Sequence, residues 1–204
     1  MHGVNPQNLL EKILRDKIFE TSYWKEHCFA LTAATLVDKA MALREAGATE
    51  GQLRRPLPFI MLVLRMLQIR PEPDIVLEFV RNEDFRYVRL LGAFYWRLVA
   101  APADVYRVLE PLLADYRRVV CADMRGRTLR HVDEVVWDLL HAPLCLDVTL
   151  PRLPRRAALE HAGLLPPRAS PLDSDPEVLA LRARYETAPS ATEKESATHN
   201  SSTS

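Results

Sequence analysis

Side chains able to do chemistry gather in three places along this 204-residue chain. His131, Asp133 and Glu134 form its one compact grouping of an imidazole with carboxylates, the material of general acid–base catalysis. They stand where a helix should begin, ahead of Val135, Val136, Leu139 and Leu140. Capping of free amides, with Asp133 as the expected cap, and the helix dipole account for them without any reaction. Five arginines, Arg117, Arg118, Arg125, Arg127 and Arg130, crowd the segment RRVVCADMRGRTLR. Their planar, forked guanidinium groups could grip RNA phosphates or an acidic partner peptide. Glu83 and Asp84 head the segment NEDFRYVRLLGAFYWRL, in which Phe85, Tyr87, Arg89 and Trp96 follow. The acidic pair suits a basic partner segment, and aromatic residues with arginine are the usual anchors of a protein interface.

Catalytic, cofactor and metal chemistry find little support. His27 beside Cys28, and His141 four residues before Cys145, lack the further ligands and spacing of a zinc site. There is no glycine-rich phosphate loop, no GxSxG elbow and no HExxH, and six glycines leave little material for active-site loops. No catalytic residue, metal ligand or cofactor is assigned. Trp24, Trp96 and Trp137 suit core or interface anchors better than base-stacking platforms. A formal charge of zero provides no global attraction to nucleic acid, although 22 of the 27 basic residues are arginine. Three separated cysteines without a CxxC pair point to free thiols in an intracellular protein. The longest apolar stretch, 56–67, is broken by Arg65 and too short to span a bilayer, so no membrane association is expected.

The elements that must carry these groups read as helices. Asn5-Pro6 is a cap and first turn for a helix to about Asp16. Ser22 is placed to cap a short helix holding Tyr23, Trp24 and Phe29, and Thr32 a longer one that ends before Gly47. FIMLVLRMLQI after Pro58 is apolar nearly all round and reads as the central helix, closed by Pro71 and Pro73. Asp74 caps the next. In the helix after Asn82 or Asp84, Phe85, Val88, Leu91, Gly92 and Tyr95 make one apolar stripe, while Arg86, Arg89 and Arg97 are expected to project elsewhere. A glycine costs roughly 1 kcal/mol in a helix interior, so Gly92 implies close approach by another helix. Pro102 opens a helix that Pro111 should kink or split, and Arg117–Val132 alternates about a turn at Gly126 as a hairpin would. A last short helix is expected over 144–153.

From about Pro166 the composition turns to proline, serine, threonine and alanine, with six acidic and three basic side chains in 171–204. Such a segment buries too little apolar surface to offset its chain entropy, though EVLALRARY keeps helical spacing. The expectation is an all-α, compact multi-helix domain over 1–165 with one small β-hairpin, followed by a mostly disordered tail over 166–204.

NPQNLLEKILRDKIFETSYWKEHCFALTA, DKAMALREAG, PFIMLVLRMLQIRPEPDIVLEFVRNEDFRYVRLLGAFYWRL, YRVLEPLLADYRR and HVDEVVWDLLH together resemble the pre-mRNA-splicing factor 38 family, in the family's order from about residue 3 to 156. The resemblance implies a nuclear, non-enzymatic protein of the spliceosome, associated with the U4/U6.U5 tri-snRNP or joining at the precatalytic B stage and needed when U4/U6 pairing is unwound. It implies a helical scaffold with a small hairpin, monomeric within a large complex. Its implied partners are a microfibrillar-associated-protein-like factor, a matrin-type zinc-finger protein and tri-snRNP core proteins, with snRNA contact through the arginine-rich hairpin as the alternative. Many relatives carry a long Arg/Ser-rich tail, which this sequence lacks, and the loop 47–55 is less glycine-rich than theirs.

Overall fold

The computed structural model describes residues 5–168, 176 and 178–180. The chain divides into two units, Met1–Leu165 and Pro166–Ser204. In the second, 166–168 have no regular secondary structure and 176 and 178–180 are helical; the rest of the expected 176–185 helix, and of the tail read as mostly disordered over 166–204, lies outside the described residues.

The first unit is helical. Pro6–Leu9 forms a 3-10 turn capped by the Asn5 side chain, and the chain then breaks before α1 (Lys12–Glu20), where a single helix to Asp16 was expected. A wide turn over Trp24–Cys28 follows, its Trp24 N–H held by the Thr21 hydroxyl at 3.2 Å, so Thr21 takes the role expected of Ser22. α2 (Ala33–Met41) begins at the Thr32 cap and stops well before Gly47. β1 (Thr49–Glu50) and β2 (Arg55–Pro56) make a short hairpin ahead of α3 (Pro58–Ile69).

Eight α3 residues are buried, from Phe59 to Leu67, so this is the central helix that its composition demanded. Each large aliphatic side chain placed there contributes about 1.5–3 kcal/mol. Its one cation, Arg65, is satisfied by Leu31 O (2.7 and 3.1 Å) and Gln68 Oε1 (3.1 Å). Arg70, left-handed at φ 53°, ends the helix ahead of Pro71.

α4 (Pro73–Arg81) and α5 (Arg86–Val99) pack at close range because Gly92 has no side chain. A Cβ there would stand 2.7 Å from Phe79 Cβ and 3.0 Å from Val80 N. α6 (Pro102–Leu109) passes into a 3-10 turn at Pro111, as expected. The hairpin pairs β3 (Arg118–Asp123) with β4 (Gly126–His131), and Asp123 Oδ1 closes the turn by accepting from the amides of Arg125 and Gly126.

β4 leads directly into α7 (Val132–His141), after which β5 (Leu144–Cys145) and β6 (Val148–Thr149) form a second two-residue hairpin where a helix was expected. Left-handed Leu146 and Asp147 make that turn. α8 (Arg156–His161) completes the described helices of the unit.

Gly47 serves a different end from helix termination. The segment around it lies along the free edge of β3, with Ala46 N–H on Val120 O (2.9 Å) and Ala122 N–H on Ala46 O (2.8 Å). A Cβ on Gly47 would fall 2.2 Å from Ala122 O. Both edges of β3 are thereby occupied, which removes an open template for unwanted strand pairing.

Candidate functional site: the α4–α5 corner

The link between α4 and α5 places Glu83 and Asp84 in solvent, with Phe85 at the start of α5 still 37% exposed. Asn82 Oδ1 accepts the Phe85 N–H at 2.8 Å, so Asn82 rather than Asp84 fixes the corner. Beneath it lies a polar network centred on Asp115, itself only 9% exposed. Asp115 Oδ2 accepts from Arg89 Nη1 and from Arg117 Nη2, both at 2.6 Å, and Oδ1 accepts from Arg117 Nε at 2.8 Å. Arg89 also donates to the carbonyls of Asn82 (2.8 Å) and Arg81 (3.3 Å), and Arg117 Nη1 donates to the carbonyl of Glu83. Two cations around one buried carboxylate thus tie the corner to the segment entering the hairpin.

Burial works to raise the pKa of Asp115, but the hydrogen bonds from Arg117 and Arg89 outweigh it and hold the carboxyl down at about 2. The charge persists at every ordinary pH. Glu83, Arg89, Pro111, Ala114, Asp115 and Arg117 enclose an open pocket of about 370 Å³.

The six residues read as a partner surface therefore separate. Glu83, Asp84 and Phe85 stand at the surface, whereas Arg89 is committed to Asp115. Tyr87 is buried, its hydroxyl accepting the Val120 N–H at 3.0 Å, and Trp96 packs against the core with Nε1 on Asp104 O at 3.2 Å. Tyr87 and Trp96 hold the fold rather than present a face. Arg97, expected to project away from the apolar stripe, is instead buried, with Nε on Leu139 O and Nη2 on Pro151 O, each at 2.7 Å. Desolvation pushes its pKa down, and helix-terminal and loop carbonyls take the place of a carboxylate.

The five hairpin arginines separate in the same way. Arg117 belongs to Asp115. Arg127 forms a fork on Glu45 (2.6 and 3.2 Å) and pairs with Glu50, fastening the 45–50 loop to the hairpin. Arg130 meets Asp138 at 2.8 Å and, more loosely, Glu134, fastening the hairpin to α7. Arg118 and Arg125 are exposed and have no carboxylate partner among the described residues.

At the His131 cluster, the Glu134 carboxylate accepts the His131 N–H at 2.9 Å, and His131, not Asp133, is the N-cap residue. That backbone hydrogen bond draws the Glu134 pKa down. All three cysteines are free and buried, and burial raises the thiols of Cys28, Cys121 and Cys145 to about 11, 11 and 12, so they stay protonated. No group of three or more His, Cys, Asp or Glu able to hold a metal occurs among the described residues. No helix there is long and apolar enough to cross a membrane.

Asp115 was missed at the sequence level. Its signal lay in the spacing DYRR, where an aspartate two residues ahead of an arginine can accept that residue's N–H, as Asp115 Oδ1 does here at 3.2 Å.

These features define an α-helical module whose buried charges knit hairpin, helices and loops into one surface. The chain belongs to the PRP38 family, whose family model matches residues 1–163. It is 54% identical over 176 residues to pre-mRNA-splicing factor 38 of Arabidopsis thaliana, covering 86% of this chain and 50% of that protein. It is 53% and 52% identical to pre-mRNA-splicing factor 38A of Danio rerio and Homo sapiens, covering 86% of this chain and 56% of each relative. The chain thus spans about half the length of the curated relatives it matches. Among solved structures, it resembles a chain of the crystal structure of the Snu23-Prp38-MFAP1(217-258) complex of Chaetomium thermophilum. That match has a TM-score of 0.82 and 35% identity, and covers 92% of this chain and 97% of the other.

Proposed function

We propose that this chain is a nuclear, non-enzymatic scaffold of the spliceosome required for pre-mRNA splicing. It acts at activation of the precatalytic B complex, when U4/U6 pairing is unwound, by holding segments of other spliceosomal proteins. The observation that carries the reading is the likeness, over nearly the whole chain, to a protein crystallised with two partners. Its partners on this reading are a microfibrillar-associated-protein-like factor, a matrin-type zinc-finger protein and tri-snRNP core proteins. The corner formed by Glu83, Asp84 and Phe85 is the proposed contact, with carboxylates for basic side chains of a partner and an aromatic edge for its apolar ones.

Direct snRNA contact through the hairpin has less support. Three of its five arginines already face internal carboxylates, leaving Arg118 and Arg125 as the charges available for phosphate. Calorimetry with a synthetic segment equivalent to MFAP1(217-258), taken from the same organism as this chain, tests the proposal. Saturable one-to-one binding, weakened about tenfold or more by E83K/D84K, is expected. Absence of binding, or binding indifferent to both substitutions, would overturn the partner assignment or the site assignment respectively.

A further inference from the structure

On another part of the first unit, a pocket of about 280 Å³ lies between the Trp24–Cys28 turn, the end of α2 and the start of α3. Its walls are Tyr23, Ala42, Leu43 and Pro58, with Lys39, Arg44 and Glu45 also lining it. The carboxylate of Glu45 is committed on both oxygens to Arg127. Lys39 and Arg44, by contrast, have no carboxylate partner among the described residues. Counting Arg127 and its second partner Glu50, five charged groups leave a surplus of one positive charge, with Lys39 and Arg44 as the cations that have no carboxylate partner beside the apolar walls. Burial and the neighbouring Cys28 raise the Tyr23 pKa, so its hydroxyl keeps its proton at neutral pH.

We infer that this pocket receives an acidic side chain, borne on an apolar stretch of a partner polypeptide. The two cations meet the carboxylate while Leu43, Pro58 and the Tyr23 ring meet the aliphatic stem and its neighbours. The mixture of aliphatic walls with only two unpaired cations suits glutamate on a peptide better than a nucleic-acid backbone, which calls for a longer cationic track and stacking aromatics. The assignment rests on the scaffold reading but concerns a surface of opposite charge to the Glu83–Asp84 corner. The molecule on this account takes acidic and basic partner segments at separate sites.

The test uses the full chain, isotope-labelled for amide NMR, and a fluorescein-tagged synthetic peptide of alternating Leu-Leu and Glu-Glu pairs. Matched peptides carry Gln or Lys in place of Glu, and a ten-nucleotide oligouridine serves as the nucleic-acid probe. Amide shifts centred on Tyr23, Lys39, Ala42 and Arg44 are expected, with the Glu peptide bound about tenfold or more tighter than the Gln peptide. Lys39→Glu and Arg44→Glu, each on an accessible side chain, should each weaken that binding severalfold, while Arg152→Glu leaves it unchanged. Circular dichroism confirms that the variants fold. Equal binding of Glu and Gln peptides, shifts elsewhere on the surface, or tighter binding of oligouridine at these residues would each overturn the inference. Loss of acidic-peptide binding with E83K/D84K-sensitive partner binding intact would remove this proposal and leave the function above standing.

Discussion

Asp115 is the residue on which the corner depends most. Its folded pKa lies below that of the unfolded chain, so its stabilisation is complete above about pH 4 and vanishes as the pH falls through about 2. The drop from the ordinary aspartate value to about 2 corresponds to roughly 2 kcal/mol. Urea unfolding between pH 5 and 2 should show this loss, and D115N should flatten it while lowering stability by about 3 kcal/mol at neutral pH, since two guanidinium groups then face each other without an anion. An unchanged acid profile in D115N would show that the carboxylate is not the titrating group. Arg97 makes the complementary case. R97A leaves the carbonyls of Leu139 and Pro151 without their donor and removes a packed stem, an expected loss of about 3 kcal/mol by thermal or urea unfolding. The side chains of Glu83 and Asp84 make no hydrogen bond in this network and act on Arg117 only through space, across solvent that screens them. E83K/D84K should therefore alter unfolding by no more than about 0.5 kcal/mol, which makes it a clean probe of binding.

At the scale of elements, two glycines set distances that side chains would forbid. Gly92→Ala adds helix propensity of about 1 kcal/mol but pushes a methyl into Phe79 and Val80, and a net destabilisation of about 1–3 kcal/mol is expected. A gain in stability would mean that α4 and α5 can part freely. The close approach at Gly92 was legible in the sequence, because a glycine inside a strong apolar stripe has few other physical reasons. The largely apolar α3, the Thr32 cap, the split at Pro111 and the Arg117–Val132 hairpin were legible on equally local grounds. Gly47 was not: its partner, Ala122 O, lies 75 residues away, and a helix terminus explained the same residue from nearby sequence. Arg97 and Tyr87 escaped for a related reason. Periodicity sorts apolar from polar positions, but it cannot foresee that a cation will be buried against carbonyls or that a phenol will accept from a strand amide. The 144–153 segment formed a hairpin instead of a helix because left-handed Leu146 and Asp147 turn the chain, a conformation that aspartate favours more than most residues but that leucine does not advertise. Of the candidate site, the exposed acidic corner was readable, while the internal pairing of Arg127 and Arg130 depended on carboxylates brought from the 45–50 loop and α7.

At the scale of the molecule, near-zero net charge is distributed rather than absent. Internal ion pairs absorb most of the hairpin's arginines, while among the other charges of the described residues Glu83 and Asp84 mark the α4–α5 corner and Lys39 and Arg44 line a pocket on another part of the first unit. A surface divided in this way suits a protein that brings several different segments together, and electrostatic complementarity would set their choice and rate of capture more than raw affinity. A tagged pull-down from nuclear extract of the source organism tests that claim most directly, comparing the unaltered chain with E83K/D84K and identifying proteins by mass spectrometry and snRNAs by probing. Recovery of U4, U5 and U6 with tri-snRNP or B-stage proteins, and loss of at least one such protein in the variant, is the predicted result. Recovery of unrelated RNA or a metabolic complex, with no spliceosomal protein in either sample, would contradict the account.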